Sequence, residues 1–116
     1  MNDLIIRSPW VEMILVGKKT WEIRGSNMHV RDRIALIRGG SGLIVGTCDL
    51  VHVVGPLTLR QLRENAQKAG LERSEISAKP YSKTYAWVLS NVRKLNRPRP
   101  YKHPSGAVIW VRLRSV

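Results

Sequence analysis

The chain has 116 residues, and its 20 Lys and Arg side chains against 8 Asp and Glu give a formal net charge of +12 and a pI of about 10.9. No apolar run approaches the ~18 residues of a membrane span, and no apolar leader segment stands at the start, so neither a membrane protein nor a secreted one is expected. Cys48 is the single cysteine, which excludes an intrachain disulfide and a multi-cysteine zinc site and favours a reducing cytoplasm.

The first elements predicted are a short strand at residues 4–6 and a helix that follows it. Ser8 is predicted to be the N-cap of this helix and Pro9 its first residue, where the missing N–H of proline costs nothing. The next residues supply an apolar stripe for one helical face, namely Trp10, Val11, Ile14 and Leu15. Gly17 suits the left-handed conformation that ends a helix.

Three strands are predicted next. Residues 20–24 alternate, which places Glu22 and Arg24 on one face of a strand and Trp21 on the other, and the polar residues 25–32 predict a loop. Two longer strands follow on either side of a glycine-rich turn, at Arg33–Arg38 and Leu43–Val54. Gly46 inside the last of these strands predicts a bend or bulge of the kind that barrels need.

A second helix is predicted to begin after Thr58, which fits a capping box with Gln61. Apolar residues then recur at spacings of three and four before Gly70, at Leu59, Leu62, Ala66 and Ala69. Residues 71–84 are polar, and Pro80 marks a non-helical break within them.

The rest of the chain predicts two strands, at residues 85–95 and 107–113, with a linker at 96–106 that is rich in Pro and Arg. Trp87 alternates with Leu89, which directs its ring into the core. Strands outnumber helices without a regular βαβ alternation. The expected fold class is therefore α+β, a single domain over residues 1–116 with a small barrel of five to six strands and two or three flanking helices.

The positive charge is concentrated in the last third of the chain. Residues 1–75 hold 11 basic and 8 acidic side chains, whereas residues 76–116 hold 9 basic and no acidic ones. Because a field of one sign attracts polyanions, nucleic acid is the leading class of partner. The alternative is a solvated basic surface that only keeps the protein soluble.

The most specific pattern is G-x-K-x-x-E-x-R, formed by Gly17, Lys19, Glu22 and Arg24. With the preceding Pro-Trp helix and the order of the predicted elements, it resembles the ASCH domain family over nearly the whole chain. The resemblance implies a PUA-like β-barrel, a fold used for RNA recognition, in which the motif residues line a cleft. Family members are proposed to bind RNA; some look like ribonucleases, and one branch looks like amidohydrolases that deacetylate N4-acetylcytidine.

The motif residues suit the recognition of a nucleotide. Lys19 is interpreted as a mobile point charge and Arg24 as a planar fork that grips phosphate, while Glu22 accepts a hydrogen bond from an exocyclic amino group such as that of cytosine. The alternative is an exposed ion pair between Glu22 and Arg24 with Lys19 in solvent, worth well under ~1 kcal/mol.

A hydrolase is the alternative function, and Lys19 and Glu22 are its predicted catalytic residues. In the amidohydrolase branch a motif lysine is thought to act with a threonine and a glutamate, but the threonine position corresponds here to Glu22. A carboxylate beside Lys19 favours its charged, binding form, although Arg24 opposes this. Asp49 and Glu64 are candidates for the second carboxylate by elimination only.

No resident metal or other cofactor is predicted, and a divalent metal is expected only if the protein is a nuclease. The histidines are scattered, and Cys48 and His52 lie roughly 13 Å apart along a strand, too far to converge on one ion.

The predicted ligand is RNA, most simply single-stranded, or a nucleotide, bound by a cytoplasmic monomer; an acidic peptide in the cleft is a third possibility. Cations interleaved with aromatic rings suit a single-strand groove. The predicted nucleic-acid-binding residues are Lys18, Lys19, Trp21, Glu22, Arg24, Tyr81, Lys83, Arg97, Arg99, Tyr101 and Lys102. For Tyr81 and Tyr101, stacking on a base and packing within the fold stay open; Trp10 and Trp21 are core residues by default, but either can form a wall of the cleft.

Overall fold

A computed structural model describes residues 2–101 and the backbone of residues 110–112. Six strands form one sheet in the order β2-β5-β4-β3-β1-β6, and every neighbouring pair is antiparallel except β1 with β3. The strands are β1 (Asn2–Ile6), β2 (Trp21–Arg24), β3 (Arg33–Arg38), β4 (Leu43–Val54), β5 (Tyr85–Pro100) and β6 (Trp110–Arg112). The predicted α+β class is confirmed, since helical segments flank this curled sheet.

The first helix, α1 (Trp10–Leu15), ends as predicted but begins differently. Pro9 occupies the N-cap position without a side-chain cap, and the Ser8 hydroxyl donates instead to Glu12 Oε1. The prediction of Ser8 as the N-cap was therefore wrong, because the Val11 N–H that a Ser8 cap would accept donates to Arg7 O at 3.1 Å instead. Gly17 has φ +82, the left-handed conformation expected after the helix.

The second helix, α2 (Leu59–Glu64), has the predicted capping box. Gln61 N donates to Thr58 Oγ1 at 3.1 Å, and Thr58 N donates to Gln61 Oε1 at 2.8 Å. The α-helix is shorter than the apolar pattern predicted, because the Asn65 side chain donates to Gln61 O and competes with the backbone at the helix end. Irregular turns continue the chain to Gly70, and a 3₁₀ helix follows at Arg73–Glu75.

The sheet encloses its main core on one face and carries two smaller clusters. Alternate residues of β1 and β3 pack with α1 and with Trp87, which is 1% exposed and confirms the prediction for its ring. Trp21 and Ala86 pack with the α2 segment in the second cluster. The opposite face of β1 and β3 forms the third cluster with Ile44, so these two strands are buried on both sides.

The pairing of β4 with β5 contains the bend predicted at Gly46. A Cβ at this position would lie 2.5 Å from Leu15 Cδ2 and 2.8 Å from Arg93 O, so no side chain fits. The register shifts here, and residues 95–98 of β5 lie between the pairs Gly46↔Lys94 and Ile44↔Arg99.

The strand β5 extends to Pro100, so the predicted linker was wrong over residues 96–100. A proline is tolerated at a register shift because no ladder hydrogen bond is required of it there. Of the strand predicted at 107–113, residues 110–112 form β6. The remaining residues of that strand, and Lys102, lie outside the described residues.

In the described part of the chain, no helix has the length and apolar character needed to span a membrane.

Candidate functional site

A cleft of about 460 Å³ lies beside β2. Its walls come from four places in the chain: the end of β1 with the start of α1, the motif around β2, the turn after α2, and the loop before β5. Lys19, Glu22 and Arg24 all line it, so the structure brings the three predicted motif residues together.

Glu22 and Arg24 form the centre of the cleft. Alternation along β2 places both on one strand face, and Arg24 donates through Nε to Glu22 Oε2 at 2.9 Å, with Nη2 2.7 Å from the same oxygen. Arg24 Nη2 also donates to Ile5 O at 2.9 Å, and its guanidinium lies 5.8 Å from the centre of the Trp87 ring. The guanidinium is thus fixed between β2 and β1, which limits its freedom to follow a ligand.

Lys19 is buried, with 3% of its surface exposed, and its ammonium contacts groups of the protein rather than solvent. Its Nζ donates to Trp21 O and to Ala69 O, both at 2.6 Å, and lies 3.6 Å from Glu22 Oε1. Both interpretations made from the sequence, a mobile charge and a lysine in solvent, were wrong. The side chain turns inward because the segment after α2 offers it a carbonyl and Gly70, where a Cβ would lie 3.1 Å from Lys19 Cδ, leaves it room.

Burial lowers the pKa of Lys19 below its ordinary value. The desolvation of the ammonium is the largest cause; the attraction of Glu22 raises the pKa, and Arg24 lowers it further. The predicted effect of Glu22 on the charged form of Lys19 is therefore present, but burial of the ammonium outweighs it.

Two polar groups in the cleft retain capacity for a ligand. Glu22 Oε1 is 3.6 Å from Lys19 Nζ, beyond an ordinary hydrogen bond of up to ~3.2 Å. Arg7, at the end of β1, is exposed and lines the cleft, and its guanidinium bonds to no described residue. Sequence reasoning missed Arg7, since β1 and β2 are separated by three strands in the sheet and only its curl brings the end of β1 beside β2.

Aromatic rings at the cleft come from Trp10 and Tyr81. These two side chains line the cleft and are 37% and 44% exposed. Trp21, in contrast, is 8% exposed within the second core cluster, and Lys68 Nζ lies 5.3 Å from the centre of its ring. The structure therefore does not bring Trp21 into the cleft.

The other predicted binding residues that the structure describes lie outside the cleft lining. Lys18 and Lys83 are exposed, and so are Arg97 and Arg99 on the far half of β5. Tyr101 is half-buried against the third core cluster, where burial raises its pKa. The described members of the predicted set thus fall into the cleft, exposed basic positions outside it, and two rings, Trp21 and Tyr101, that pack against core clusters.

The two candidates for a second catalytic carboxylate are engaged elsewhere. Asp49 accepts from Arg33 at 3.0 Å and from Asn91 at 3.2 Å, and these interactions lower its pKa. Glu64 pairs with Arg60 at 3.0 Å on the surface of α2. Among the described residues, Glu22 is the one acidic side chain that lines the cleft.

Metal-binding groups are similarly dispersed. No three His, Cys, Asp or Glu side chains within residues 2–101 come together in a group that could hold an ion. Cys48 is buried, and burial raises the pKa of its thiol to about 12, so it is a core residue rather than a reactive one.

Comparison with known proteins gives one family and one fold. The family model of the ASCH domain matches residues 4–99. The crystal structure of ASCH from Zymomonas mobilis is similar, with a TM-score of 0.76 and 17% identity over 97% of this chain and 87% of that one. Structures of two point mutants of that protein give TM-scores of 0.74 at 18% identity, covering 97% of this chain and 89% and 87% of theirs. A search of curated proteins finds no match. At such identities the structural likeness shows the fold alone, a small PUA-like barrel.

Proposed function

The chain belongs to the ASCH domain family, and from this we propose that it binds single-stranded RNA, with one nucleotide in the cleft and the adjoining backbone on the basic surface of β5. The protein is proposed to act as a cytoplasmic monomer.

The observation that carries this proposal is the composition of the cleft. Three cationic residues, Arg7, Lys19 and Arg24, line it together with a single carboxylate, Glu22, which leaves the lining net positive. Its volume of about 460 Å³ falls within the ~300–1,000 Å³ of small-ligand sites, a size suited to one nucleotide rather than a duplex. Glu22 Oε1 supplies an acceptor for a base amino group, and Arg7 supplies a cation for phosphate.

The basic surface supports the backbone part of the proposal. Its exposed cations are Arg93, Lys94, Arg97 and Arg99. No acidic residue follows Glu75 in the sequence, and although Asp49 on the neighbouring strand interacts with Arg93, this surface is predominantly positive toward a polyanion.

Fluorescence anisotropy of a short labelled single-stranded RNA, titrated at several salt concentrations, tests the proposal. Each neutralised phosphate should contribute about 0.7 to the negative slope of log affinity against log salt. A steep slope supports backbone binding by the basic surface. Absence of binding at low salt, or a flat slope, contradicts it.

A hydrolase acting on RNA or on a modified nucleoside is the second candidate, favoured by one observation. Lys19 lines the cleft and burial lowers its pKa, which increases the fraction of neutral amine able to act as a base. Incubation with RNA, with and without Mn²⁺ or Mg²⁺, and with N4-acetylcytidine tests this function. Turnover that Lys19→Met abolishes in a folded protein would support it, and no turnover in any mixture would remove it.

A further inference from the structure

We propose that Trp10 and Tyr81 are the aromatic walls of a slot for one unpaired nucleobase, and that Gly25 is the residue that seats Tyr81 in it. This inference rests on the proposed function and deepens it, since it names the ligand group that enters the cleft.

The first observation concerns the positions of the exposed large hydrophobic side chains. Four large hydrophobic side chains of the described residues are exposed: Trp10, Val16, Val51 and Tyr81. The two aromatic ones line the same cleft, whereas neither valine does. An exposed ring gains most from a flat apolar partner, and every nucleobase has a π-face that stacks on aromatic side chains.

The second observation is that Tyr81 is seated against a residue without a side chain. A Cβ built on Gly25 would lie 3.0 Å from Tyr81 Cγ and 2.7 Å from Cδ1, and the second distance is closer than real Cβ atoms approach. Gly25 directly follows Arg24 of the motif strand, so the ring is positioned at the end of β2. Any larger residue at Gly25 must displace the ring.

Buried side chains hold the backbone on both sides of the contact between Gly25 and Tyr81. Trp87 Nε1 donates to Ser26 O at 2.9 Å and holds the loop beside Gly25. The Thr84 hydroxyl donates to Tyr81 O at 2.8 Å, and Thr84 is fully buried. Because the Tyr81 backbone is ordered before a ligand arrives, binding loses little conformational freedom.

The chemistry of the lining favours a base over an acidic peptide. A carboxylate side chain would be attracted by Arg7 and Arg24, but it has no flat surface for Trp10 or Tyr81. A nucleotide uses both properties, since its phosphate meets a guanidinium and its base meets a ring.

Equilibrium binding of single-stranded RNA to Trp10→Ala and Tyr81→Ala tests the slot. Each variant should bind about 5- to 150-fold more weakly, the range found when a stacking ring is removed. Tyr81→Phe should bind like wild type because the ring is kept, and urea unfolding of each alanine variant shows whether it is folded when its affinity is measured. Val51→Ala removes an exposed side chain outside the cleft and is the matched control.

A double-mutant cycle tests the positioning role of Gly25. Gly25→Ala should weaken binding in the wild-type background and have no further effect in the Tyr81→Ala background, because it acts through that ring. Equal effects in the two backgrounds would overturn this role.

An oligonucleotide of one base type, with an abasic site placed at each position in turn, tests whether a base enters the slot. Its affinity should fall for an abasic site at one position at least.

The outcomes separate this inference from the proposed function. If Trp10→Ala and Tyr81→Ala bind RNA like Val51→Ala while Arg97→Ala binds more weakly, the slot is wrong and RNA binding stands. Preference for an acidic peptide that is insensitive to both ring variants also overturns the slot. Absence of RNA binding by the wild-type protein overturns both.

Discussion

The cleft and the far half of β5, residues 90–100, place the same kinds of cationic side chain in opposite settings. In the cleft, Lys19 and Arg24 are tied to Glu22 and to backbone carbonyls. On the far half of β5 the cations are exposed, and no acidic residue follows in the sequence. Counting cations therefore overstates what the cleft offers an anion. Charge in the cleft is largely used to hold the fold, whereas charge on β5 is available to a ligand.

The largest effect expected from this difference is on stability. Lys19→Met keeps the length of the side chain but leaves Glu22 and two buried carbonyls without their ammonium. Glu22 keeps its pairing with Arg24, but each buried carbonyl left without a donor costs about 1–3 kcal/mol, so the free energy of unfolding in urea should fall by about 2–6 kcal/mol. Lys18→Met, at the exposed neighbouring position, is the control and should change stability by less than ~0.5 kcal/mol. Similar values for the two variants would mean that the buried lysine is not structural.

A buried acid next to the basic surface gives the second effect. Asp3 is fully buried in β1, neither carboxylate oxygen accepts a hydrogen bond from a described residue, and burial raises its pKa to about 6 although Arg99 opposes the shift. The folded protein thus binds this proton more tightly than the unfolded chain, whose pKa is near 3.8. The stability contributed is present below the unfolded pKa and is lost as pH rises toward the folded one.

Asp3→Asn removes this titration. Its free energy of unfolding minus that of wild type should increase by about 2 kcal/mol between about pH 4.5 and about pH 7.5. Urea unfolding at both pH values measures the change, and comparing the two within one variant cancels the packing cost of the amide. A difference that stays constant with pH would show that Asp3 is not protonated in the folded state.

The smallest effect concerns RNA. Replacing both Lys94 and Arg97 by Ala should weaken binding of all single strands alike and reduce the salt slope by about 1.4, since two phosphate contacts are lost. Arg99 is kept in this variant because its charge lowers the pKa of Asp3. If affinity fell for one RNA sequence only, β5 would recognise bases. The proposed difference between β5 and the cleft would then be wrong.

The sequence predicted features that depend on near neighbours. The capping box joins residues three apart, and alternation along four residues of β2 was enough to pair Glu22 with Arg24. The environment of Lys19 was not predictable in this way, because one of its partners, Ala69 O, is 50 residues away. The same reason applies to Arg7 and Tyr81, which meet at the cleft only because the sheet curls and brings β1 beside β2, from which three strands separate it in the strand order. The strand character of residues 96–100 was missed because Pro98 and Pro100 resemble a linker until the register shift that accommodates Pro98 is known.

The unpaired edge of β5 affects how the protein can associate with itself. Within the described residues, β2 pairs with β5 only up to Val88, and β4 lies on the other side of β5. The edge of residues 90–100 that faces away from β4 therefore has no neighbouring strand. An open edge is a template on which a second chain can add a strand and begin to aggregate. Pro98 and Pro100 lack the donors such a strand needs, and the row of cations repels an identical row on another copy. The surface proposed to hold RNA thereby also disfavours edge-to-edge pairing between copies of the protein.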